Sequence, residues 1–328
     1  FEARREAAKA KGKLRGIGLA SYIEKCAGGS PEEARLEVSS DGHVTLYIGT
    51  QSNGQGHETA FRQIISERLG ISFEEISIVQ GDSDRIETGG GTMGSRSVPV
   101  GGSAISATAA ILIEKAKLKA AEMLETAIDD IEFENGEFKI VGTDRSESFK
   151  SVAQAAAPAD GSASFDEKES FAPSEATYPN GTHVCELEID EATGTIEVVD
   201  YTVVDDFGKT INPLLLEGQV HGGIAQGLGQ ALLENCAYDA ESGQLIAATF
   251  MDYTMPRASN FPEIRFKRNE VPCLTNPLGI KGAGEAGAIG APPAIINAVV
   301  NALKDYGVRH VDMPVTSTKL WQLMQSSA

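Results

Sequence analysis

In Lys281-Gly282-Ala283-Gly284-Glu285-Ala286-Gly287 a single carboxylate stands in a loop made otherwise of glycine, alanine and one lysine. Residues without bulk let the backbone approach a ligand closely and leave the carboxylate short of water, a setting that raises its pKa and suits a general base. Gly282, Gly284 and Gly287 also satisfy G-x-G-x-x-G, with Asp305 about 20 residues on in the place of a ribose-binding acid. A dinucleotide fingerprint follows a buried strand, however, and Cys273-Leu274-Thr275-Asn276-Pro277-Leu278 holds a proline and no β-branched run. Pyrophosphate at the glycine turn would also oppose Glu285, and Pro292 and Pro293 set the expected helix start beyond the motif. A nucleotide-dependent dehydrogenase is therefore the lesser reading.

Three other places carry chemistry-bearing types. Gln55, between Gly54 and Gly56, offers an amide donor and a carbonyl acceptor on a backbone that allows close approach. The loop Gly89-Gly90-Gly91-Thr92-Met93-Gly94-Ser95-Arg96-Ser97 lacks the Gly-Lys-Ser/Thr of a P-loop, yet its amides, Ser95, Ser97 and Arg96 suit a phosphate or a polar ring; the bland alternative is a flexible surface loop. Gln226 lies in a helical stretch, Gly222 to Gln230, whose glycines cost stability and imply an element packed tightly against it. Each glutamine has the alternative of a surface or packing role. The five histidines, His57 and His221 among them, lack metal-ligand spacing and read as structural.

The elements that must position these loops follow from pattern. Alternation in 34–38 and 44–48 around Asp41-Gly42 predicts a hairpin, and Ala60, Phe61, Ile64, Ile65 and Leu69 share a helical face closed by Gly70. A strand is expected at 76–79 and a long alanine-rich helix at about 103–127. Strands at 184–189 and 196–204 flank a turn, a glycine-punctuated helix covers about 214–234, and strands are expected near 245–250 and 263–266. Helices at about 293–305 and 315–324 close the chain. Without regular βαβ spacing the fold class is α+β, as two mixed α/β subdomains. The first covers 1–154, a linker or excursion 155–174, and the second 175–328.

The chain has 328 residues, 41% hydrophobic and 23% charged, enough for one large or two medium domains. A formal charge of -19 excludes a nucleic-acid partner, which needs a basic face. No apolar run is expected to span a bilayer and no signal peptide is visible, so the expected location is cytoplasmic. Cys26, Cys185, Cys236 and Cys273 form no C-x-x-C pair, fitting a reducing compartment. Phe1 opens a charged helix-like run, Glu2 to Lys9, which reads as a piece of something longer.

Taken in order, the loops resemble the molybdopterin-binding subunit of the xanthine dehydrogenase, aldehyde oxidase and aerobic carbon monoxide dehydrogenase family. The landmarks are Gln51 to Thr59, Gly89 to Ser97, Tyr178 to Gly181, Asp205 to Pro213, Glu217 to Gly227 and Lys281 to Glu285. The resemblance covers nearly the whole chain and implies the C-terminal molybdenum-binding domain. It implies that Asn53, Gly54, Gln55 and Gly56, with Gly94, Ser95, Arg96 and Ser97, hold the pterin and its phosphates, in the cytosine dinucleotide form. Gln226 is then near an apical ligand, Lys281 near the cofactor, and Glu285 is the catalytic base, with water supplying the oxygen. No side chain is expected to ligate molybdenum, because the dithiolene sulfurs of the pterin do so. Expected partners are the N-terminal molybdenum-binding half, an iron-sulfur subunit with 2Fe-2S clusters and an FAD subunit, with the whole assembly a dimer. The substrate is a small molecule, an aldehyde, an N-heterocycle or carbon monoxide. Without the other half this chain is expected to be inactive. A non-catalytic scaffold of the same fold is the alternative.

Overall fold

The computed structural model describes residues 1–326. Helix α1 (Glu2–Lys9) leads into β1 (Lys13–Ile23), and then come β2 (Glu32–Val38) and β3 (Val44–Ile48), the predicted hairpin, with Gly42 at positive φ in its turn. Helix α2 (His57–Leu69) returns the chain to β4 (Ile76–Gln80), which pairs parallel with β3, and Gly70 ends the helix at φ 61° as its position required. A π-helical turn, Ser97–Gly102, runs straight into α3 (Ser103–Leu124). The small strands β5 (Ile131–Glu134), β6 (Glu137–Ile140) and β7 (Ser146–Ser148) form a three-stranded sheet followed by α4 (Phe149–Ala156).

The 155–174 stretch, expected as a linker or excursion, contains β8 (Phe165–Phe171), paired antiparallel with β2 over its whole length. Its alternating charged residues cover one sheet edge, which a search for apolar runs passes over. The sheet order is β4-β3-β2-β8, with α2 and α3 packed on it. The Ser97–Leu124 run is long and apolar enough, by length and composition alone, to cross a bilayer. Of its most apolar window 61% is buried inside the protein, as suits the core helix of this sheet.

Next come β9 (Asn180–Asp190), β10 (Ile196–Asp206), α5 (Pro213–Leu228), β11 (Ile264–Arg268), α6 (Ala286–Ala302) and α7 (Ser317–Ser326). The second sheet has the order β1-β9-β10-β11, so the first strand of the chain is paired with the second half. That departs from a first subdomain running unbroken from residue 1. Helix α6 lies directly on β1: a Cβ at Gly16 would come within 2.0 Å of Ala298 O, and one at Gly18 within 2.1 Å of Ala294 O. The expected strand near 245–250 is not formed; Leu245 makes an isolated bridge to Tyr238, and the residues after it are mostly exposed with no strand to pair. Helix α6 begins at Ala286, not beyond the prolines, and Pro292 and Pro293 stand inside it. Each removes one helical hydrogen bond. Burial of the helix between β1, β9 and α5 holds it helical nonetheless.

Candidate active site

Four segments leading into helices line one cleft of about 540 Å³. They are the Gln51 loop before α2, the Gly89 loop before the turn at Ser97, residues 207–212 before α5 and residues 280–285 before α6. First-turn N–H groups have no intrahelical acceptor and carry the positive end of the helix dipole. No side chain caps α2, the turn at Ser97 or α6, whereas Asn212 caps α5 by accepting from Leu215 N at 3.0 Å. Such a cleft suits an anionic ligand rich in hydrogen-bond acceptors.

Glu285 is the residue before α6, and Ser95 Oγ donates to its Oε2 at 2.9 Å. Ser95 has φ 51°, following Gly94 at φ 58°, so the loop turns sharply to present the hydroxyl. Opposite, Gly282 is a glycine by necessity: a Cβ there would lie 2.4 Å from Ser95 O and 2.8 Å from Cys26 Cβ. The shelter from water expected around Glu285 is not supplied by this chain, in which the residue is exposed to the cleft.

Asn53, Gly54, Gln55, Gly94, Ser95, Ser97 and Lys281 all line the cleft. Within the first loop the Gln55 side-chain carbonyl accepts from Asn53 N, which leaves its NH2 group for a ligand. Gly56 takes φ 81° at the start of α2 and packs against Leu215. Thr92 Oγ1 donates to Gln51 O at 2.6 Å and ties the first two loops together. Lys281 is committed by its charge: its ammonium pairs with Asp206, whose other oxygen accepts from Gly208 N at 2.9 Å and Val271 N at 3.0 Å. Burial alone pushes the Asp206 carboxyl up, and Lys281 with those two amides outweighs it and holds the group below its ordinary value.

Besides Gly56, which does not line the cleft itself, two expected residues lie elsewhere. Arg96 is buried and turned away from the cleft, with Nη1 on Glu32 Oε2 at 2.9 Å and Gly91 O at 3.2 Å, and Nη2 on Ser30 O and Pro31 O at 3.0 and 2.9 Å. It holds the loop's shape. Gln226 is exposed on α5 and does not line the cleft, whereas Gln219, two turns earlier on that helix, does. The cleft also takes in His57, Thr210 and Asn212, which were not singled out as binders. Asn212-Pro213 was a readable helix-start signal. His57 is buried, and burial lowers its pKa, so a neutral ring faces the cleft.

A family described as molybdopterin cofactor-binding domain matches residues 1–262. The chain is similar to the carbon monoxide dehydrogenase large chain of Hydrogenophaga pseudoflava, 35% identical over 329 residues, which cover 95% of this chain and 41% of that protein. It is 37% identical over 323 residues to the 6-hydroxypseudooxynicotine dehydrogenase complex subunit gamma of Paenarthrobacter nicotinovorans, covering 97% of this chain and 40% of that one. Among solved structures, quinoline 2-oxidoreductase from Pseudomonas putida 86 superposes with a TM-score of 0.91 at 34% identity, over 99% of this chain and 44% of that one. The chain thus spans about two fifths of the length of the curated relatives it matches.

Proposed function

We propose, from the premise that this chain belongs to the molybdopterin cofactor-binding domain family, that its cleft holds a molybdenum-molybdopterin group in the cytosine dinucleotide form. On this reading Glu285 is the base for oxidation of a small molecule with oxygen from water. The observation that carries the reading is the Ser95-Glu285 hydrogen bond at the meeting point of four helix starts. The donor set fits the group: uncapped helix amides and the Ser97 and Thr210 hydroxyls suit phosphate oxygens, and the amides of Asn53, Gln55 and Gln219 suit a polar ring. Gly54 and Gly94 have nothing within 4 Å of where a Cβ would stand, so a ligand has direct access to their backbone.

When bound, that group supplies the two-electron redox chemistry and the place where substrate oxygen is delivered. The protein's part is to bind, to orient and to move a proton. Glu285 accepts the proton of the attacking water-derived oxygen through a carboxylate oxygen, while the Ser95 hydroxyl fixes the rotation of that carboxylate. Lys281, neutralised by Asp206, braces the loop that carries Glu285. Met93 lines the cleft with 65% of its surface exposed, and Leu214 beside the cleft wall is 77% exposed. The N-terminal molybdenum-binding half is the partner proposed to cover them, with iron-sulfur and FAD subunits taking the electrons onward. An aldehyde, an N-heterocycle and carbon monoxide remain the substrate classes this reading admits.

The test uses the assembled protein encoded with its upstream reading frame. Molybdenum and pterin are measured together with turnover, for the native protein and Glu285→Gln. Full metal content with kcat lowered about 10²- to 10⁴-fold in the variant is expected. A cofactor-free native assembly would favour the scaffold, and unchanged turnover in the variant would remove Glu285 from the mechanism.

A further inference from the structure

We propose that Glu24 is a second carboxyl of this site, a positioning residue that holds Glu285 through a shared proton; the inference rests on the reading of Glu285 as the base.

After β1 the chain runs extended along the back of the cleft. Glu24 N donates to Pro179 O at 2.9 Å, Cys26 and Thr177 exchange backbone hydrogen bonds at 2.9 Å each, and Ala27 N donates to Gly94 O at 3.0 Å. Gly282 N in turn donates to Thr177 Oγ1 at 3.2 Å, and a Cβ at Gly282 would touch Cys26 Cβ. These bonds fix the segment from Glu24 to Ala27 against both the Ser95 loop and the loop of Glu285. The Glu24 carboxyl thereby lies against Glu285, Ser95 and the Cys26 thiol.

Its Oε2 is fully enclosed and has no hydrogen-bond partner among the described residues. A buried carboxylate oxygen without a donor is costly, and the cost falls away when the group carries a proton and gives it to a neighbouring acceptor. Glu285 is that acceptor. Two neighbouring carboxyls do not both ionise cheaply, so they titrate as a pair. Burial pushes Glu24 above its ordinary value; the Cys26 thiol hydrogen bond opposes this, and the adjacent Glu285 charge adds to it. Burial pushes the Cys26 thiol up as well, so it stays a donor.

The titratable groups facing Glu24 are therefore Cys26 from its own segment, Glu285 from the start of α6 and Tyr22 from β1. Lys281, the cation of the adjoining loop, is spent on Asp206. Protonated Glu24 and Ser95 together give the Glu285 carboxylate two hydrogen bonds. The pair carries one negative charge at rest and none once Glu285 has taken up its proton.

The experiment compares Glu24→Met and Glu24→Gln in the assembled, cofactor-loaded protein. Glu24→Met is expected to lower kcat about tenfold with KM and molybdenum content unchanged, and to move the acid limb of the kcat/KM profile up by about one pH unit. Glu24→Gln keeps an N–H donor and recovers most of the rate. Infrared spectra of the resting protein at neutral pH give a readout without turnover. A protonated-carboxyl C=O band is expected, absent in Glu24→Gln and shifted in Glu285→Gln. No such band, a native rate and pH profile in Glu24→Met, or equal losses in both variants accompanied by lost molybdenum would each overturn the proposal. A coupled band beside full activity in Glu285→Gln would support the pair and remove the base reading.

Discussion

Ser95 and Glu285 are 190 residues apart in sequence and joined by a 2.9 Å hydrogen bond from hydroxyl to carboxylate. The bond joins the loop before the turn at Ser97 to the loop before α6 across the cleft, so each half of the chain contributes one partner of the proposed base. Ser95→Ala removes the donor while leaving Glu285 in place. Loss of a hydrogen bond to a charged group is worth about 1.5–3 kcal/mol, which predicts a fall in kcat of about 10- to 100-fold in the assembled protein with Glu285→Gln falling further. Thermal unfolding is expected to be nearly unchanged, since Ser95 is only half-buried and lines the cleft. A Ser95→Ala protein with native kcat would show that the bond does not orient the base.

Arg96 and Glu32 form an ion pair whose side chains are 6% and 0% exposed. Arg96→Met leaves the Glu32 carboxylate buried without its partner, a change that costs about 3–5 kcal/mol when one member of such a pair is removed. The urea midpoint of the chain is expected to fall accordingly. Lower cofactor occupancy with native stability would instead restore the phosphate-binding role that the sequence suggested for Arg96.

What the sequence revealed here and what it hid have separate physical causes. The β2-β3 hairpin and the end of α2 were legible because Asp41-Gly42 and Gly70 demand their backbone conformations locally. The Glu285 loop was legible because only small residues fit beside Ser95 and Cys26. Arg96 was misread because its type suits a phosphate, while its partner Glu32 lies 64 residues away and only folding brings the two together. Strand β1 went unseen for a related reason: Gly16 and Gly18 look like breakers until α6 is laid across them. Glu24 follows that strand and was hidden with it. Gln226 was placed at the site by likeness, and the helix periodicity of α5 gives the cleft position to Gln219 instead.

The glycines of α5 do report a close neighbour, and they divide into two classes. A Cβ on Gly223 would lie 2.8 Å from Gly287 Cα, and one on Gly287 would lie 2.6 Å from both Ile224 N and Val220 O. Nothing stands within 4 Å of Gly218 or Gly222. Gly223→Ala and Gly287→Ala therefore force α5 and α6 apart and are expected to destabilise by about 1–3 kcal/mol net. Gly222→Ala, exposed and mid-helix, is expected to stabilise by about 0.5–1 kcal/mol. Melting temperatures of the three variants should move in these opposite directions; a uniform rise would mean the helices separate at no cost.

Asp205, next to the aspartate that holds Lys281, is buried with His183 and Tyr22. Tyr22 donates to its Oδ1 at 3.1 Å, and His183 Nε2 stands 3.7 Å from the same oxygen without a hydrogen bond. Burial pushes the Asp205 carboxyl up to about 7, against the lowering effect of the Tyr22 hydroxyl, and burial pushes His183 down to about 4. The raised carboxyl fixes the sign. Between the ordinary aspartate value, about 4, and about 7 the folded chain holds a proton that the unfolded chain has lost. Its contribution to stability is therefore complete below about pH 4 and declines as pH rises towards about 7. Asp205→Asn keeps an acceptor for Tyr22 and cannot ionise, so its stability relative to the native chain should rise across that interval and level off above it. The neutral histidine works in the opposite sense over much of the same interval, between about 4 and the ordinary imidazole value of about 6.5, and because native and variant chains share it, it drops out of their difference. Melting temperatures of both chains at half-unit steps from about pH 4 to 8 separate the two groups, and a constant difference between the chains would show that Asp205 is ionised throughout.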